Sequence, residues 1–208
     1  MNNQQAYNKW AEQYDTNQNK TRDLEGISFR KTLNNYFFSE ALEIGCGTGK
    51  NSEWLVTKAA HVVAVDFSEE MLAKAKTKVA APNIEFKQAD ITKDWDFADT
   101  TYDLISFSLV LEHIENLHFI FEQVRNEISI GGFLYIGELH PYKQYAGSVA
   151  RFETEGDVQR LECYPHHLSE FFKYATAFNF SLVDFNEWFD EENKKGVPRI
   201  VTLLFKAL

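Results

Sequence analysis

Cysteine is scarce in this sequence, and its two cysteines, Cys46 and Cys163, are too few for a disulfide framework or a cysteine-ligated zinc cluster. Long apolar runs are missing too, so no segment has the length of a membrane span. The opening residues, MNNQQAYNKW, lack the charged-then-apolar order of a signal peptide. We therefore expect a cytoplasmic protein without a membrane partner.

Positive charge is also in deficit. The sequence has 21 lysines and arginines against 31 aspartates and glutamates, and its net charge is −10 at pH 7. An acidic chain repels the phosphates of nucleic acid. The densest basic stretch, with Lys74, Lys76 and Lys78, is explained as the solvated end of a helix. The composition therefore argues against a nucleic acid partner.

The residues that are present suit one domain: the chain has 208 residues, of which 44% are hydrophobic and 15% aromatic. From residue 41 onward, short apolar segments alternate with amphipathic ones, which predicts parallel strands joined by helices. Two closing strands are separated by a polar turn, so we expect them to be antiparallel. Strands are predicted at 41–44, 61–66, 84–90, 102–108, 133–139, 180–189 and 199–205, and helices at 51–58, after Ser68, after Asn116 and at 169–178.

A glycine-rich loop follows the first predicted strand in the segment EIGCGTGKN. A P-loop does not fit, because the stretch from Gly45 to Gly49 is one residue too short and Lys50 is followed by Asn51 where a hydroxyl residue is needed. A dinucleotide fingerprint fits poorly, since its third glycine comes one position early. The loop therefore excludes a P-loop and makes a dinucleotide site less favourable than a site for a nucleoside without phosphate.

Five segments in order resemble the motifs of the class I S-adenosylmethionine-dependent methyltransferases, in particular the branch that acts on small molecules. They are EIGCGTG, VVAVDFSEEML, NIEFKQADI, YDLISFSLVLEHI and IGGFLYIGE, and they cover about residues 41–139. The resemblance implies an α/β fold, a Rossmann-like doubly wound sheet of seven strands that is mostly parallel with the last strand antiparallel and has helices on both faces. It also implies S-adenosyl-L-methionine as cofactor and S-adenosyl-L-homocysteine as product.

The resemblance also implies a division of the single domain 1–208 into four parts. These are an N-terminal helical lid at 1–40, a cofactor-binding core at 41–139, a substrate-pocket insertion at 140–167, and a terminal helix with two strands at 168–208. Residues 151–164 have the pattern of a hairpin that turns at 155–157. The insertion is expected to form most of the acceptor pocket.

The cofactor residues implied by the resemblance agree with the chemistry of the ligand. Glu43 would bind the ammonium group, the glycines would let the backbone approach the amino acid portion, and Asp66 would accept hydrogen bonds from the ribose hydroxyls. Asp90 and the backbone of Ile91 would read adenine. The full expected set is Tyr14, Glu43, Gly45, Cys46, Gly47, Asp66, Phe67, Met71, Asp90, Ile91 and Ser108.

Each of these assignments has a structural alternative. Asp66 could be a turn and capping residue, Asp90 a loop acid, and Phe67 and Met71 ordinary core. Cys46 is read as a small residue in a tight loop and not as a nucleophile.

The acceptor is expected beyond the carboxyl ends of the strands, where ligands bind in open α/β sheets. Tyr7, Trp10, Ala11 and Tyr14 would share one helical face and close the site as a lid; the alternative is a helix that only packs on the sheet. The expected substrate pocket comprises Tyr7, Trp10, Tyr142, Arg151, Phe152, Tyr164 and His166.

Methyl transfer to a hydroxyl or an amine is helped by a general base, and histidine suits this role near neutral pH. His113 and His140 are the first candidates, followed by His166 and Glu138. Because the adjacent His166 and His167 would face opposite ways in an extended segment, we expect no metal site.

The predicted function is S-adenosylmethionine-dependent methyl transfer to O, N or C of a small, partly apolar metabolite by in-line displacement. The fourth strand lacks the Asn/Asp-Pro-Pro-aromatic signature of many nucleic-acid and glutamine methyltransferases. Three alternatives stay open: a methyltransferase for a protein or a tRNA nucleoside, a non-catalytic partner subunit that binds the cofactor, and a dinucleotide oxidoreductase. The sequence leaves the oligomeric state undetermined.

Overall fold

The computed structural model describes residues 3–149, 151–154, 157–191 and 196–208, and for residues 151–154 and 157–160 it describes the backbone alone. The strands are β1 Phe38–Ile44, β2 Ala59–Asp66, β3 Ile84–Gln88, β4 Tyr102–Ser108, β5 Ile128–Leu139, β6 Arg151–Thr154, β7 Asp157–Arg160, β8 Phe180–Trp188 and β9 Ile200–Ala207. The helices are α1 Asn3–Trp10, α2 Lys20–Leu33, α3 Ser52–Leu55, α4 Glu69–Lys78, α5 Leu117–Glu127, α6 Pro141–Tyr145 and α7 Leu168–Ala177.

Seven of the strands form one sheet in the order β3-β2-β1-β4-β5-β9-β8. The first five are parallel, and β9 runs antiparallel to both of its neighbours. This confirms the predicted sheet and its reversed closing strand. From β1 the chain adds β2 and β3 on one side, and from β4 it adds β5, β9 and β8 on the other side. This reversal of direction leaves a crevice between the carboxyl ends of β1 and β4.

Helices cover both faces of the sheet, as predicted. The alternation in β2 shows the two layers: Val62 faces the layer of α2 and α3, whereas Val63 and Val65 face the layer of α5 and α7. All three valines are fully buried. Burial on both faces explains why β2 reads as a nearly unbroken apolar run.

Helix α4 begins and ends as its sequence indicates. The Ser68 hydroxyl accepts a hydrogen bond from the amide of Met71 at 3.2 Å, so Ser68 caps the first turn. Glu69 and Glu70 lie at the positive end of the helix, and Lys76 and Lys78 lie at its negative end. The helix therefore holds the end of β2 in a fixed position beside the crevice.

Several element boundaries differ from the sequence predictions. Helix α3 has a single turn because β2 begins at Ala59, four residues after its end. Strand β5 begins at Ile128, because Gly131 and Gly132 form an irregularity within the strand instead of a turn before it. Helix α1 ends at Trp10, and turns continue from there toward Tyr14.

Strands β6 and β7 pair as an antiparallel hairpin, which confirms the hairpin expected in this region. Residues 155 and 156 of its predicted turn lie outside the described residues. Among the helices that the structure describes, none has the length and apolar character needed to cross a membrane.

Candidate cofactor and acceptor site

A cavity of about 200 Å³ lies at the crevice, beyond the carboxyl ends of β1, β2 and β4. A smaller cavity of about 40 Å³ shares part of its wall. Together the two cavities gather the whole cofactor set that the sequence suggested. The first is lined by Tyr14, Gly45, Gly47, Asp66, Phe67, Met71, Asp90, Ile91 and Ser108, and the second adds Glu43 and Cys46.

Asp66 ends β2 and holds two backbone segments in place. One carboxylate oxygen accepts a hydrogen bond from the Gly47 amide at 2.9 Å, and the other accepts one from the Ser68 amide at 2.8 Å. Burial raises the pKa of Asp66 to about 6, although both amides lower it. Because a carboxylate offers about four acceptor sites, Asp66 can hold the loop and still accept from a ligand.

The glycine loop adopts backbone angles that disfavour side chains. Gly45 and Gly47 have φ values of 69° and 54°. A Cβ at Gly45 would lie 2.3 Å from Cγ2 of Val110, whereas a Cβ at Gly47 would meet no atom within 4 Å. Gly45 is therefore required by packing, and Gly47 leaves the cavity wall open.

Glu43 lies under the loop and is 4% exposed. Its carboxylate accepts a hydrogen bond from the Ser52 hydroxyl at 2.5 Å. Burial raises the pKa of Glu43 to about 8, against the lowering effect of Ser52. Glu43 therefore holds its proton to a higher pH than an exposed glutamate does.

Lys50, the lysine that ends the glycine run, turns back into the protein. Its ammonium donates to the carboxylate of Glu25 at 3.1 Å and to the carbonyl of Arg22 at 2.6 Å. Glu25 is fully buried, so Lys50 neutralises an internal carboxylate. This use of the lysine agrees with a loop that binds no phosphate.

Arg22 is a site residue that the sequence reasoning missed. It is 9% exposed and lines the small cavity. Its guanidinium donates to the carbonyls of Tyr14 and Asn17, the latter at 2.8 Å, and lies 5.2 Å from the centre of the Tyr14 ring. No motif marks it, because its guanidinium is held by carbonyls of the preceding turns and by the neighbouring Asp23.

Helix α1 closes over the main cavity. The Tyr7 hydroxyl donates to Nε2 of His113 at 2.9 Å, and Nδ1 of His113 lies 2.9 Å from the carbonyl of Glu162. A carbonyl can only accept, so Nδ1 carries the proton and Nε2 is the acceptor. The Gln4 amide donates to the Phe67 carbonyl at 2.8 Å, which fixes α1 to the end of β2 as well.

A third cavity, of about 520 Å³, lies on the other side of Tyr7 and Tyr14, and we call it the outer cavity. It shares Tyr7, Tyr14 and Leu109 with the main cavity. Its other described lining residues are Trp10, Gln18, Asn19, Lys20, Thr21, Arg22, Glu112, Leu139, Ala146, Gly147, Ser148, Val149 and Arg199. Of these described lining residues, eight come from residues 1–40 and four from residues 140–167, and the side chains of residues 151–160 lie outside the described part of the chain.

Leu109 lies in the walls of all three cavities. Its φ is 59°, which is unusual for a residue with a side chain, and its amide donates to the Gly137 carbonyl at 2.8 Å. Such strain costs about 1–3 kcal/mol and is concentrated at functional sites. The strained residue marks the point where the cavities meet.

His140 does not reach any of these cavities. It is 1% exposed, its Nε2 lies 3.0 Å from the Glu187 carboxylate, and its Nδ1 accepts from the Tyr142 amide. It caps α6 instead. His166 donates from Nε2 to the Ile114 carbonyl at 2.7 Å and is also turned away from the main cavity.

The remaining predicted residues are dispersed. Glu138 is buried, and its carboxylate accepts from the amides of Val110 and Leu111, so it shapes the loop after β4. Tyr142 is 60% exposed and, like Tyr164, lines no described cavity. The side chains of Arg151 and Phe152 lie outside the described residues. In the part of the chain that is described, no three metal-ligating side chains come together.

Comparisons with known proteins find a matching family model, curated relatives and solved structures of the same fold. A family model described as a methyltransferase domain matches residues 42–136. A malonyl-[acyl-carrier protein] O-methyltransferase from Bacillus anthracis is 28% identical over 164 residues, which are 75% of this chain and 60% of that protein. This chain therefore spans less than two thirds of that relative.

Solved structures share the fold over nearly their full length. A putative S-adenosylmethionine dependent methyltransferase from Listeria monocytogenes has a TM-score of 0.75 and 18% identity, with 89% of this chain and 99% of that chain covered. A DhpI–SAH complex has a TM-score of 0.77 and 22% identity, with 98% and 94% covered. The family model matches residues 42–136, and the solved structures show that the chain has their fold; both agree with the resemblance of the motifs to the class I S-adenosylmethionine-dependent methyltransferases.

Proposed function

We propose that this chain transfers the methyl group of S-adenosylmethionine to an oxygen, nitrogen or carbon atom of a small metabolite. The observation that carries the proposal is the meeting of two unlike cavities at Tyr7, Tyr14 and Leu109. One cavity holds the expected cofactor residues, and the other is large enough for a separate small molecule. The shared wall is where a donor and an acceptor would face each other.

The cofactor position follows from the chemistry of the lining residues. Adenine would lie at Asp90 and Ile91, and the ribose hydroxyls at Asp66. The amino acid end would enter the small cavity, with its ammonium at Glu43 and its carboxylate at Arg22. The ammonium and the carboxylate of the ligand would then each meet an opposite charge, which buried charges require.

Transfer of the methyl group is an in-line displacement. The bond between sulfur and the methyl carbon breaks, sulfur keeps the electron pair, and a new bond forms from the acceptor atom to carbon. Holding the two reactants in line and excluding water supplies much of the rate enhancement. The lid formed by α1 would provide this exclusion.

We assign the proton of an O–H or N–H acceptor to His113, through Tyr7. Tyr7 lines both cavities, and its hydroxyl donates to the unprotonated Nε2 of His113. A proton from the acceptor can therefore pass to the Tyr7 oxygen while Tyr7 passes its own to His113. His140 is not part of this proposal, because its ring is engaged by Glu187.

Calorimetric titration tests the cofactor assignment. We expect S-adenosylhomocysteine to bind and NAD not to bind. Asp66→Asn should weaken S-adenosylhomocysteine binding by about 10- to 100-fold, because hydrogen bonds to a charged group contribute roughly 1.5–3 kcal/mol. Glu69→Gln removes an exposed carboxylate three residues away and should leave affinity unchanged. Saturation by NAD, or equal affinities of the two variants, would refute the assignment.

A further inference from the structure

The outer cavity concentrates positive charge in a chain whose net charge is −10. Its described wall contains three cationic side chains, Lys20, Arg22 and Arg199, and one carboxylate, that of Glu112; the two arginines are paired with Asp23 and Asp190, which do not line the cavity. The sequence as a whole has 21 basic residues against 31 acidic ones, so this excess is opposite to the composition. A cavity of this charge favours an anionic ligand.

The arginine at this wall is held in a defined position. Arg199 donates from Nη1 to the Thr21 hydroxyl at 3.1 Å and from Nη2 to the Asp190 carboxylate at 2.6 Å. Thr21 lies in the first turn of α2, so the contact joins two distant parts of the chain. A group fixed before binding loses little conformational freedom when a ligand arrives.

Lys20 supplies a cation that also lies near Asp190, and its charge helps to lower the pKa of that carboxyl. It is exposed, and it forms no ion pair with any residue that the structure describes. The neighbouring amides of Thr21 and Arg22 already donate to the Asn19 side chain at 3.1 Å. Side chains, and not the amides at the start of α2, must therefore hold an anion here.

Glu112 gives an independent indication of a ligand. It is 7% exposed and lines the outer cavity and a smaller neighbouring one; its carboxylate has a hydrogen bond with the Gln144 side chain, but its Oε2 atom has no hydrogen-bond partner among the described residues. A buried acceptor without a partner costs about 1–3 kcal/mol, and a donor group on a ligand would remove that cost. Burial raises the pKa of Glu112, so its repulsion of a nearby anion is reduced.

We propose, on the basis of the function proposed above, that the methyl acceptor is a small organic acid. Its anionic group lies between Lys20 and Arg199, and an O–H or N–H group of the same molecule donates to Glu112. Carboxylates and phosphonates share the required charge. Arg22 stays available for the carboxylate of the cofactor, since it lines the small cavity as well.

The experiment measures binding of small aromatic probes to the full chain saturated with S-adenosylhomocysteine. We expect benzoate or phenylphosphonate to bind at least about tenfold more tightly than benzamide, which has a similar shape and no charge. The stronger of the two acids identifies the preferred anion. We also expect 3-hydroxybenzoate to bind more tightly than benzoate, because its hydroxyl can donate to Glu112.

Matched variants test which residues cause the preference for acids and the preference for the hydroxylated acid. Lys20→Met should reduce the preference for acid over amide by about tenfold, whereas Lys93→Met removes the same charge from an exposed position outside the cavity and should leave the preference unchanged. Glu112→Leu should remove the preference for 3-hydroxybenzoate over benzoate. Equal effects of the two lysine variants would overturn the placement of the anion.

The proposal can fail separately from the function on which it rests. If S-adenosylhomocysteine does not bind, the methyltransferase assignment of the site fails. If S-adenosylhomocysteine binds but neither acid binds, or benzamide binds as tightly as the acids, the acidic acceptor alone is refuted.

Discussion

Gly45 and Gly47 have the same left-handed backbone but different surroundings, and this difference can be measured. Gly45 has the Val110 side chain where a Cβ would project, whereas Gly47 faces open cavity. Overpacking of a buried position typically costs about 1–3 kcal/mol, in addition to about 1–2 kcal/mol for a left-handed backbone with a side chain. One substitution should therefore act on the fold and the other on the ligand.

We expect Gly45→Ala to lower the free energy of unfolding by roughly 2–5 kcal/mol, the sum of both costs. Gly47→Ala should cost only about 1–2 kcal/mol, yet its methyl group occupies ligand space and should weaken S-adenosylhomocysteine binding by at least about tenfold. Urea unfolding of both variants measures the loss of stability, and calorimetry measures the loss of S-adenosylhomocysteine binding. Equal losses of stability, or unchanged binding by Gly47→Ala, would contradict this account.

At the scale of the elements, the sequence predicted best those segments whose environment is uniform. Strands β1, β2 and β4 are buried on both faces, so their apolar runs and the polar residues at their ends are readable directly. For this reason the sequence alone predicted that Glu43, Asp66 and Ser108 lie at the same edge of the sheet. The doubly wound sheet of seven strands followed from the family motifs, and the reversed last strand followed from the polar turn between the two closing strands as well.

The outer cavity could not be predicted in this way, because contacts between remote segments create it. Arg199 meets Thr21 across 178 positions of sequence, and neither residue lies in a recognisable motif. His140 shows the opposite error: it follows β5 in the chain at the expected edge, but its ring turns toward Glu187. A motif in the sequence predicts where the backbone of a residue lies in the fold. The direction of its side chain depends on the partners that tertiary packing brings close to it.

Helix α1 has eight residues, and an isolated helix shorter than about 12 residues is marginal in water. The folded conformation of α1 therefore depends on contacts with residues that follow β2 and β4. Tyr7 forms a hydrogen bond with His113, and the Ser68 hydroxyl donates a hydrogen bond to the Asn8 side chain at 2.6 Å. A ligand that rests on the same residues should therefore stabilise the lid.

We expect S-adenosylhomocysteine to slow tryptic cleavage after Lys9, an exposed residue of α1, and to leave cleavage after the exposed Lys173 of α7 unchanged. Tyr7→Phe removes the hydroxyl that donates to His113 and should reduce this protection. Mass spectrometry of timed digests gives the rates at both sites. Equal slowing at Lys9 and Lys173 would indicate general stabilisation of the protein and not closure of a lid.

At the scale of the whole molecule, three buried carboxylates relate the site to stability. Burial raises the pKa of Glu43 and Glu138 to about 8 and that of Asp66 to about 6. Each folded-state pKa is higher than the value in the unfolded chain, so the folded state retains protons that the unfolded state has lost. Their contribution to stability is full below about pH 4 and is lost as the pH rises toward 8.

The free energy of unfolding of the ligand-free protein should therefore fall between pH 5 and pH 8, by an amount on the order of a few kcal/mol. Glu43→Gln keeps an acceptor for Ser52 but cannot ionise, so its stability relative to the parent protein should increase over this range. Glu53→Gln, at an exposed position of α3, should not change the slope. Urea unfolding at several pH values provides the measurement.

Binding of the cofactor should also change how the free energy of unfolding depends on pH. An ammonium group beside Glu43 favours the ionised carboxylate, so saturating S-adenosylhomocysteine should flatten the decline in stability and release a proton near pH 7. Calorimetry in buffers with different ionisation enthalpies would detect that proton, and Glu43→Gln should abolish the release. The pH dependence of stability could arise from repulsion among exposed charges, given the net charge of −10, or from the buried carboxylates. High salt screens exposed charges much more than buried ones, so a pH dependence that persists in high salt indicates the buried carboxylates. A slope that vanished in salt and a binding enthalpy independent of buffer would together exclude Glu43 as the residue that meets the ammonium group.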